Sequence, residues 1–187
     1  MKKFILIFSI LFPLSIFAEG DDWSHYGKDS GGGHYSKATE ITPKNVKHLK
    51  NIWTHRSGDY KGGANSAGRK GDDYQTSFQV TPLLVDETLF YCTSFNRVFA
   101  LNSETGEEIW MFDPKLKKEG RAILACRGLS SWKDLKKAPD EKCFHHIIGV
   151  TIDAELFSID AKDGKLCKDF GDNGRVNLRE GLGEHPD

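Results

Sequence analysis

The chain has 187 residues, of which 38% are hydrophobic and 28% charged, and 26 lysine and arginine residues stand against 27 aspartate and glutamate residues. This length is enough for one domain with a substantial core. Because the charges nearly balance, the sequence offers no basic surface for nucleic acid or an anionic membrane, and we expect neither as a partner.

The N-terminus has the features of a secretory signal peptide. Two lysines precede an apolar run from Phe4 to Phe17, and Ala18 offers a small residue for cleavage before Glu19. The run is shorter than the ~20 residues that a membrane-spanning helix needs. No cysteine stands at the cleavage point, which disfavours a lipid anchor. We therefore expect removal of residues 1–18, no transmembrane segment in the mature protein, and a periplasmic location.

Four cysteines stand in a chain that this signal would send to an oxidising compartment, where disulfides persist: Cys92, Cys126, Cys143 and Cys167. They include no C-x-x-C pair, so we expect no zinc site. Four cysteines allow three pairings. We favour a disulfide between Cys126 and Cys143, because these two bracket the polar segment 130–142. For Cys92, in the apolar run LFYC, a buried free thiol is the alternative.

Residues 19–50 are predicted to form an extended arm that ends in a short helix. Glycine, serine and aromatic residues fill the first part without helical or strand periodicity, and we expect its aromatic side chains to pack on another part of the chain: Trp23, Tyr26 and Tyr35. Thr42-Pro43 is a favourable helix start. An apolar edge formed by Val46 and Leu49 extends the predicted helix to about Lys50.

A short strand from Asn51 to His55 and a glycine-rich loop from Gly58 to Gln75 are predicted next. The spacing Gly63-x-x-x-x-Gly68 resembles a phosphate-binding loop. Arg-Lys follows it where Lys and then Ser or Thr are needed, and no apolar strand leads into it. We therefore predict a flexible loop without phosphate chemistry.

From Phe78 onward the pattern is strand and turn. The apolar segments are FQVTPLLV, TLFYCT, RVFALN and EEIWMFD, followed by HHIIGVTI, AELFSID and GKLCKDF. The stretch that begins at Phe99 aligns without gaps with the stretch that begins at Phe157, at an offset of 58 residues. This exceeds the usual blade period of about 40–50 residues, and we assign the excess to an insertion at 115–142.

Short strands at this spacing, with turns predicted at Asp86-Glu87 and Phe95-Asn96, suggest a sandwich, a barrel or propeller blades. The repeat favours an all-β fold of antiparallel four-stranded blades, as in a β-propeller. The two blade-like repeats would span about 51–113 and 114–187, within a domain of residues 19–187. A blade completes its core only by stacking on its neighbours, so two blades alone would leave apolar faces uncovered.

Four motifs in this order resemble the N-terminal part of the PQQ-dependent quinoprotein dehydrogenases, especially the glucose, quinate and shikimate dehydrogenases and their soluble periplasmic relatives. They are WSHYGKDSGGGHYSKATEITPKNVKHLKNIWTHRSGD, FQVTPLLVDETLFYCTSFNRVFALNSETGEEIW, ACRGLSSW and IDAELFSIDAKDGKLCKDFGDNGRVNL. The resemblance implies an eight-bladed propeller with PQQ and calcium at its axis. This chain would supply about the first two blades.

The resemblance identifies the repeated hairpin as the tryptophan-docking motif A-x-D-x-x-T-G-x-x-x-W, a structural element in which the tryptophan packs between adjacent blades. Its positions are filled by Asn102, Thr105, Gly106 and Trp110. The second copy keeps Asp160 and Gly164 but has Lys168 at the tryptophan position. We therefore expect the second blade to pack without a docked tryptophan.

The chemistry that the resemblance implies is oxidation of an alcohol, polyol or aldose by hydride transfer to PQQ. Calcium polarises a quinone carbonyl, an aspartate takes the hydroxyl proton, and an arginine stabilises the developing negative charge. Arg127, in Cys126-Arg127-Gly128, is the candidate arginine, because its planar cation suits adjacent oxygens. Gln79 falls at the position where relatives have a glutamate or glutamine that hydrogen-bonds the cofactor.

Two features of the expected cofactor site are missing. Alcohol-oxidising relatives cover the quinone with two adjacent cysteines, and sugar-oxidising relatives place a histidine four residues before the arginine. This sequence has Ala125-Cys126 and Ile123 at these places, so neither cover is present. We still expect Cys126 and Ile123, together with Arg127 and Gln79, to contact the cofactor. An apolar Ile123 would still pack on the ring.

The calcium ligands and the catalytic aspartate are expected from later blades, so we name no catalytic or metal-binding residue in this chain. A quinone or a cytochrome is the expected electron acceptor. The adjacent pair His145-His146 is not expected to bind metal, because neighbouring strand residues point to opposite faces.

Two other functions compete with the dehydrogenase. One is a non-catalytic periplasmic propeller scaffold of the outer-membrane-assembly type, against which the Cys-Arg-Gly motif counts. The other is a small binding protein complete in itself, which the uncovered blade faces disfavour.

Overall fold

The computed structural model describes residues 22–59, 75–117 and 123–181. The predicted signal peptide and the Gly63–Gly68 spacing lie outside these residues. Within them, no helix combines the length and the apolar character needed to cross a membrane.

Ten strands lie in the described residues. They are β1 (Gln75–Phe78), β2 (Leu83–Val85), β3 (Thr88–Cys92), β4 (Val98–Asn102), β5 (Glu108–Phe112), β6 (Ile123–Cys126), β7 (Ser130–Lys133), β8 (His145–Val150), β9 (Glu155–Asp160) and β10 (Arg175–Asn177). The first antiparallel sheet has the order β2-β3-β4-β5 and the second the order β10-β9-β8-β7, while β1 and β6 form a parallel pair. The predicted all-β architecture of four-stranded antiparallel sheets is confirmed.

Local sequence explains the tight turns of both sheets. The two residues between β2 and β3, Asp86 and Glu87, both have positive φ, of 48° and 61°. A two-residue hairpin turn with this geometry matches the twist of the strands it joins. After β3, Thr93 accepts a hydrogen bond from the Asn96 amide, and after β8 Thr151 accepts one from the Ala154 amide in the same way.

The main core lies between the two antiparallel sheets. Val98 and Phe90 of the first sheet and Ile147, Phe157 and Ile159 of the second are all at most 2% exposed and belong to one cluster. Each such side chain contributes about 1.5–3 kcal/mol when it is removed from water. Both sheets therefore line the same core, and each sheet needs the other to bury its apolar face.

The arm and the predicted helix differ from expectation. Trp23 pairs with Leu84 through two backbone hydrogen bonds of 2.7 and 3.0 Å, which adds the arm to the edge of β2. Tyr26 and Tyr35, expected to pack, are 67% and 69% exposed. The helix is only a 3₁₀ turn, Val46–His48, because the Asn45 side chain accepts the Thr42 amide hydrogen and folds the start into a tight turn.

Two predicted strands are absent, and four observed strands, β1, β6, β7 and β10, correspond to no predicted strand. Residues 51–55 are extended without forming a strand, and 164–170 contribute only an isolated bridge at Leu166. The expected insertion at 115–142 instead contains β6 and β7. The extra length lies in the β7–β8 connection, residues 134–144, which corresponds to the two-residue β2–β3 turn.

The predicted disulfide between Cys126 and Cys143 is wrong. The structure joins Cys92 to Cys126 and Cys143 to Cys167, with Cα–Cα distances of 5.9 and 5.7 Å, so Cys92 is no free thiol either. The physical reason is β7, which runs between the two expected partners. Cys126 precedes the start of β7, whereas Cys143 lies near its other end, where Lys133 pairs with His145.

The docking motif folds as a braced turn in both copies. The Asn102 side-chain oxygen accepts hydrogen bonds from the amides of Glu104 and Thr105, at 3.0 and 2.9 Å. Gly106 has φ of 72°, a conformation in which glycine avoids the strain of a side chain. In the second copy Gly164 has φ of 68°, and Asp160 accepts the Lys162 amide hydrogen.

A tryptophan docks on each of these turns. The Trp110 indole donates to the Ala161 carbonyl at 2.9 Å and packs against Gly164, which joins the first sheet to the second. The expectation that the second copy lacks a docked tryptophan is therefore wrong. Trp53 donates to the Ser103 carbonyl at 3.2 Å and packs against Gly106 in the same manner. Sequence comparison missed Trp53 because it lies outside any predicted hairpin.

Candidate functional site

The parallel pair β1–β6 brings the predicted cofactor residues together. Ser77 pairs with Ala125 and Phe78 with Cys126, so Gln79 and Arg127 follow directly at the ends of adjacent strands. The Thr81 amide donates to the Arg127 carbonyl at 3.0 Å and continues this parallel alignment beyond the strands. Two residues 48 positions apart in sequence are thus neighbours.

Strand alternation decides which of these side chains face outward. Leu124 and Cys126 are buried, at 0% and 8% exposure, whereas Ile123 is 51% exposed and Arg127 is exposed. Since successive strand residues point to opposite faces, Ile123 and Arg127 share the open face. The predicted Cys126 contact with a cofactor is not supported by this placement, because its sulfur points inward to Cys92.

Gln79 lies on the same side as Arg127. Its side chain is exposed, and its amide nitrogen donates to the Ser77 hydroxyl at 2.8 Å. Ser77 is the pairing partner of Ala125, and paired residues of a parallel ladder present their side chains to the same face. The open face therefore combines a cation, a carboxamide and the apolar side chain of Ile123.

The Arg127 guanidinium has no hydrogen-bond or ion-pair partner among residues 22–59, 75–117 and 123–181. By contrast, Arg97 holds the Asp59 carboxylate and the Ser57 carbonyl, and Arg175 is paired with Glu155. A planar cation without an internal partner is available for a bidentate contact with adjacent oxygens of a ligand.

A buried polar network that the sequence did not reveal lies where β3 and β4 are connected. Asp59 is 5% exposed and accepts hydrogen bonds from Arg97 and from the fully buried Thr93 hydroxyl. A buried carboxylate is tolerated when it is paired and hydrogen-bonded in this way. The partners are 34 and 38 residues apart, so no local pattern could have linked them.

A second contact missed by sequence reasoning joins His55 to Tyr91. The His55 Nδ1 atom lies 2.6 Å from the Tyr91 hydroxyl, and the Phe78 ring centroid lies 5.9 Å from that of Tyr91. Burial, with a smaller effect from the nearby Glu108 carboxylate, raises the pKa of Tyr91 to about 12. Tyr91 is therefore a neutral hydrogen-bonding support for β1 at physiological pH.

The histidine pair points in two directions. His145 has its ring 6.2 Å from Phe90 in the shared core and its Nε2 atom 2.8 Å from the Ser131 hydroxyl. His146 is 3% exposed on the other face, with Nδ1 2.7 Å from the Ser158 hydroxyl. Its Nε2 atom has no hydrogen-bond partner in the described part of the chain.

The burial of His146 predicts a loss of stability in acid. Burial, and next the charge of Lys137, lower the pKa of His146 from 6.5. The folded state then binds fewer protons than the unfolded state, so the stabilisation is present above about pH 6.5 and is lost as the pH falls below it. We expect His146→Gln to flatten the decline in melting temperature between pH 7.5 and 5. An unchanged decline would contradict this assignment.

Comparisons with known proteins identify the family of this chain. Residues 23–187 match the PQQ family described as glucose/ethanol/alcohol dehydrogenase, beta-propeller domain. The chain belongs to this family. The predicted resemblance is thereby confirmed.

Relatives of this chain include a glucose dehydrogenase and a quinate/shikimate dehydrogenase. The chain is 36% identical over 171 residues to quinoprotein glucose dehydrogenase A of Acinetobacter calcoaceticus, which covers 85% of this chain and 20% of that protein. It is 32% identical over 190 aligned residues to the quinate/shikimate dehydrogenase (quinone) of Acinetobacter baylyi, which covers 94% and 22%. The chain therefore spans about a fifth of the length of these relatives.

Solved structures of the family show the same fold. The quinohemoprotein alcohol dehydrogenase of Comamonas testosteroni matches with a TM-score of 0.59 at 22% identity, over 86% of this chain and 20% of that protein. The alcohol dehydrogenase ADHIIG of Pseudomonas putida HK5 gives 0.60 at 22% identity, over 87% and 20%. The two sheets described above correspond to part of such a propeller.

The open face fits part of what the family cofactor requires. PQQ is a planar quinone with several anionic oxygens, and the unpaired Arg127 cation and the Gln79 amide complement such oxygens. Calcium needs six to eight oxygen ligands. The cluster that comes closest to a metal site in the described residues is Cys143, Cys167 and Asp169, and its two cysteines form a disulfide. The face fits PQQ oxygens, while this cluster does not fit calcium.

Proposed function

We propose that this chain is the N-terminal portion of a periplasmic quinoprotein dehydrogenase that oxidises an alcohol, a polyol or an aldose with PQQ. The observation that carries the proposal is the exposed Arg127, whose side chain has no partner within the described residues, beside Gln79 in a chain of this family. Blade stability alone does not require an arginine in that position.

The residues of this chain bind and polarise the cofactor in the proposed mechanism. When bound, PQQ supplies the quinone carbonyl that accepts the substrate hydride. Arg127 places a permanent positive charge where negative charge develops on the quinone oxygens, which stabilises the transition state more than the ground state. Gln79 donates a hydrogen bond from its carboxamide and fixes the orientation of the ring.

Ile123 completes the face with an apolar surface. Its side chain is 51% exposed and lies on the same side of β6 as Arg127. Packed against a quinone ring, it would exclude water and strengthen the electrostatic effect of the neighbouring cation. Calcium, the group that takes the substrate proton, and the path to a quinone or cytochrome acceptor belong to later blades in this proposal.

The acceptor proposal takes its support from the relatives. The Acinetobacter baylyi relative is named a dehydrogenase (quinone), and a relative from Thauera butanivorans is named 1-butanol dehydrogenase (cytochrome c). Both kinds of acceptor thus occur among similar proteins.

The direct test uses the protein expressed from its natural start codon to its natural stop codon and exported to the periplasm. We expect alcohol- or sugar-dependent reduction of a redox dye that requires both PQQ and calcium. Residues 19–187 alone should neither bind PQQ tightly nor show activity, because too few ligands are present. Absence of PQQ binding by the natural product would contradict the proposal and favour a scaffold.

A further inference from the structure

The Cys92–Cys126 disulfide ends immediately before Arg127. Cys92 is the last residue of β3 in the first antiparallel sheet, and Cys126 is the last residue of β6. Both cysteines are buried, at 1% and 8% exposure. The bond therefore fixes the end of a strand of the parallel pair to the central part of the neighbouring sheet.

The backbone around Arg127 is held from several sides. The residue before it is in the disulfide, and its own carbonyl accepts the Thr81 amide hydrogen at 3.0 Å. The carbonyl of the next residue, Gly128, lies 3.6 Å from the sulfur atoms of both Cys92 and Cys126. Cys126 is thus bonded to β3 and Arg127 is hydrogen-bonded to the segment after β1, while Gly128 is in contact with the disulfide sulfurs, which have no hydrogen to donate.

The side chain contrasts with this fixed backbone. Arg127 is exposed, and its guanidinium has no partner in the described part of the chain. Because the backbone is already fixed and the guanidinium breaks no contact with the described residues, little conformational entropy is lost when a ligand binds. Sites that stabilise charge depend on groups held within a fraction of an ångström of the productive position.

We propose that the Cys92–Cys126 disulfide is a positioning element that presents Arg127 to the cofactor. The inference rests on the proposed function, since it assumes that Arg127 contacts PQQ. The disulfide itself touches no cofactor in this proposal and acts through the arginine. The Cys143–Cys167 bond, which lies within the second antiparallel sheet region, has no such role.

That second bond provides a matched control. We would compare Cys92→Ala/Cys126→Ala with Cys143→Ala/Cys167→Ala in the protein expressed from its natural start to its natural stop codon. Amide hydrogen exchange should become faster at Thr81 in the first variant and remain unchanged there in the second. Equal exchange at Thr81 in both variants would overturn the proposal.

The second measurement is PQQ affinity, determined by fluorescence quenching in the presence of calcium. A change in protein stability alone would not alter this affinity. We expect loss of the Cys92–Cys126 bond to weaken PQQ binding about tenfold, and the control variant to bind normally. The same loss should have no further effect in an Arg127→Ala background, because coupled residues show non-additive effects. Additive losses would overturn the positioning role while leaving the cofactor role of Arg127 intact.

A reversible form of the test covers the case in which the first variant does not fold. In the Cys143→Ala/Cys167→Ala protein the Cys92–Cys126 bond is the only disulfide left among residues 1–187. A phosphine that is removed before PQQ is added reduces it, and mass spectrometry of thiol-labelled peptides verifies that Cys92 and Cys126 are the thiols released. Reduction should weaken PQQ binding, and reoxidation should restore it. If Arg127→Ala leaves PQQ affinity unchanged, the proposed function itself fails, and the inference fails with it.

Discussion

Replacing Trp110 with alanine is expected to lower the free energy of unfolding by about 3 kcal/mol, as is typical of large-to-small substitutions at packed tryptophans. The indole packs on the Gly164 turn, lies 5.8 Å from the Phe90 ring, and donates to the Ala161 carbonyl at 2.9 Å. Its loss would open a cavity between the two sheets and leave that carbonyl without this donor. Urea unfolding followed by far-UV circular dichroism measures the effect.

The neighbouring Ile109 supplies the control for Trp110. It stands on the same strand next to Trp110 and is 52% exposed. Ile109→Ala should cost less than ~1 kcal/mol, since an exposed side chain loses little burial. Similar losses for the two variants would show that the sheets are not joined by the docked indole.

Gly164→Ala is expected to cost about 2–4 kcal/mol, the sum of left-handed backbone strain and overpacking against a fixed ring. Gly164 has φ of 68°, and a Cβ atom on it would lie 2.7 Å from the Trp110 ring. The ring cannot retreat without losing its hydrogen bond to Ala161. The same urea measurement reports this loss.

Gly58→Ala separates the cost of backbone strain from the cost of overpacking. Gly58 has φ of 75°, yet a Cβ atom on it would meet no atom of the described residues within 4 Å. This variant should show only the backbone strain, about 1–2 kcal/mol. If Gly58→Ala and Gly164→Ala lose equal stability, the close approach of Trp110 to the turn contributes nothing.

Strands and turns could be predicted because their signals are local. The turns at Asp86-Glu87 and Thr105-Gly106 stand between alternating apolar segments, and both occur where expected. The β6 and β7 strands were missed because each has four residues and β7 is largely polar. Their pairing with β1 and β8, rather than their own composition, determines that they are strands.

Contacts between distant segments could not be predicted from sequence spacing. The disulfide partners depend on which strand ends meet in space, and the polar segment between Cys126 and Cys143 suggested the opposite pairing. The docking of Trp53 on Gly106 and the pairing of Arg97 with Asp59 likewise join segments that no periodicity links. These contacts depend on how distant segments align in the folded protein, and that alignment leaves no recognisable pattern in a single sequence.

The residues of the candidate site were predicted, but their spatial arrangement was not. Arg127 and Gln79 were found only through the family resemblance, because neither stands in a pattern that local chemistry would distinguish. The structure then supplied what the resemblance lacked, namely the parallel pair that makes them neighbours and the open face they share with Ile123. It also turned Cys126 from a cofactor contact into the inward anchor of the strand.

The central claim is tested most directly by the affinity for PQQ. We would compare this affinity among Arg127→Ala, Arg179→Ala and the unmodified chain, each in the protein expressed from its natural start codon to its natural stop codon. Loss of a charged hydrogen bond costs about 1.5–3 kcal/mol, so Arg127→Ala should weaken calcium-dependent binding roughly 10- to 100-fold. Arg179 is exposed at the end of β10, and its replacement should change nothing. Equal affinities for the two variants would contradict the assignment of Arg127 to the cofactor.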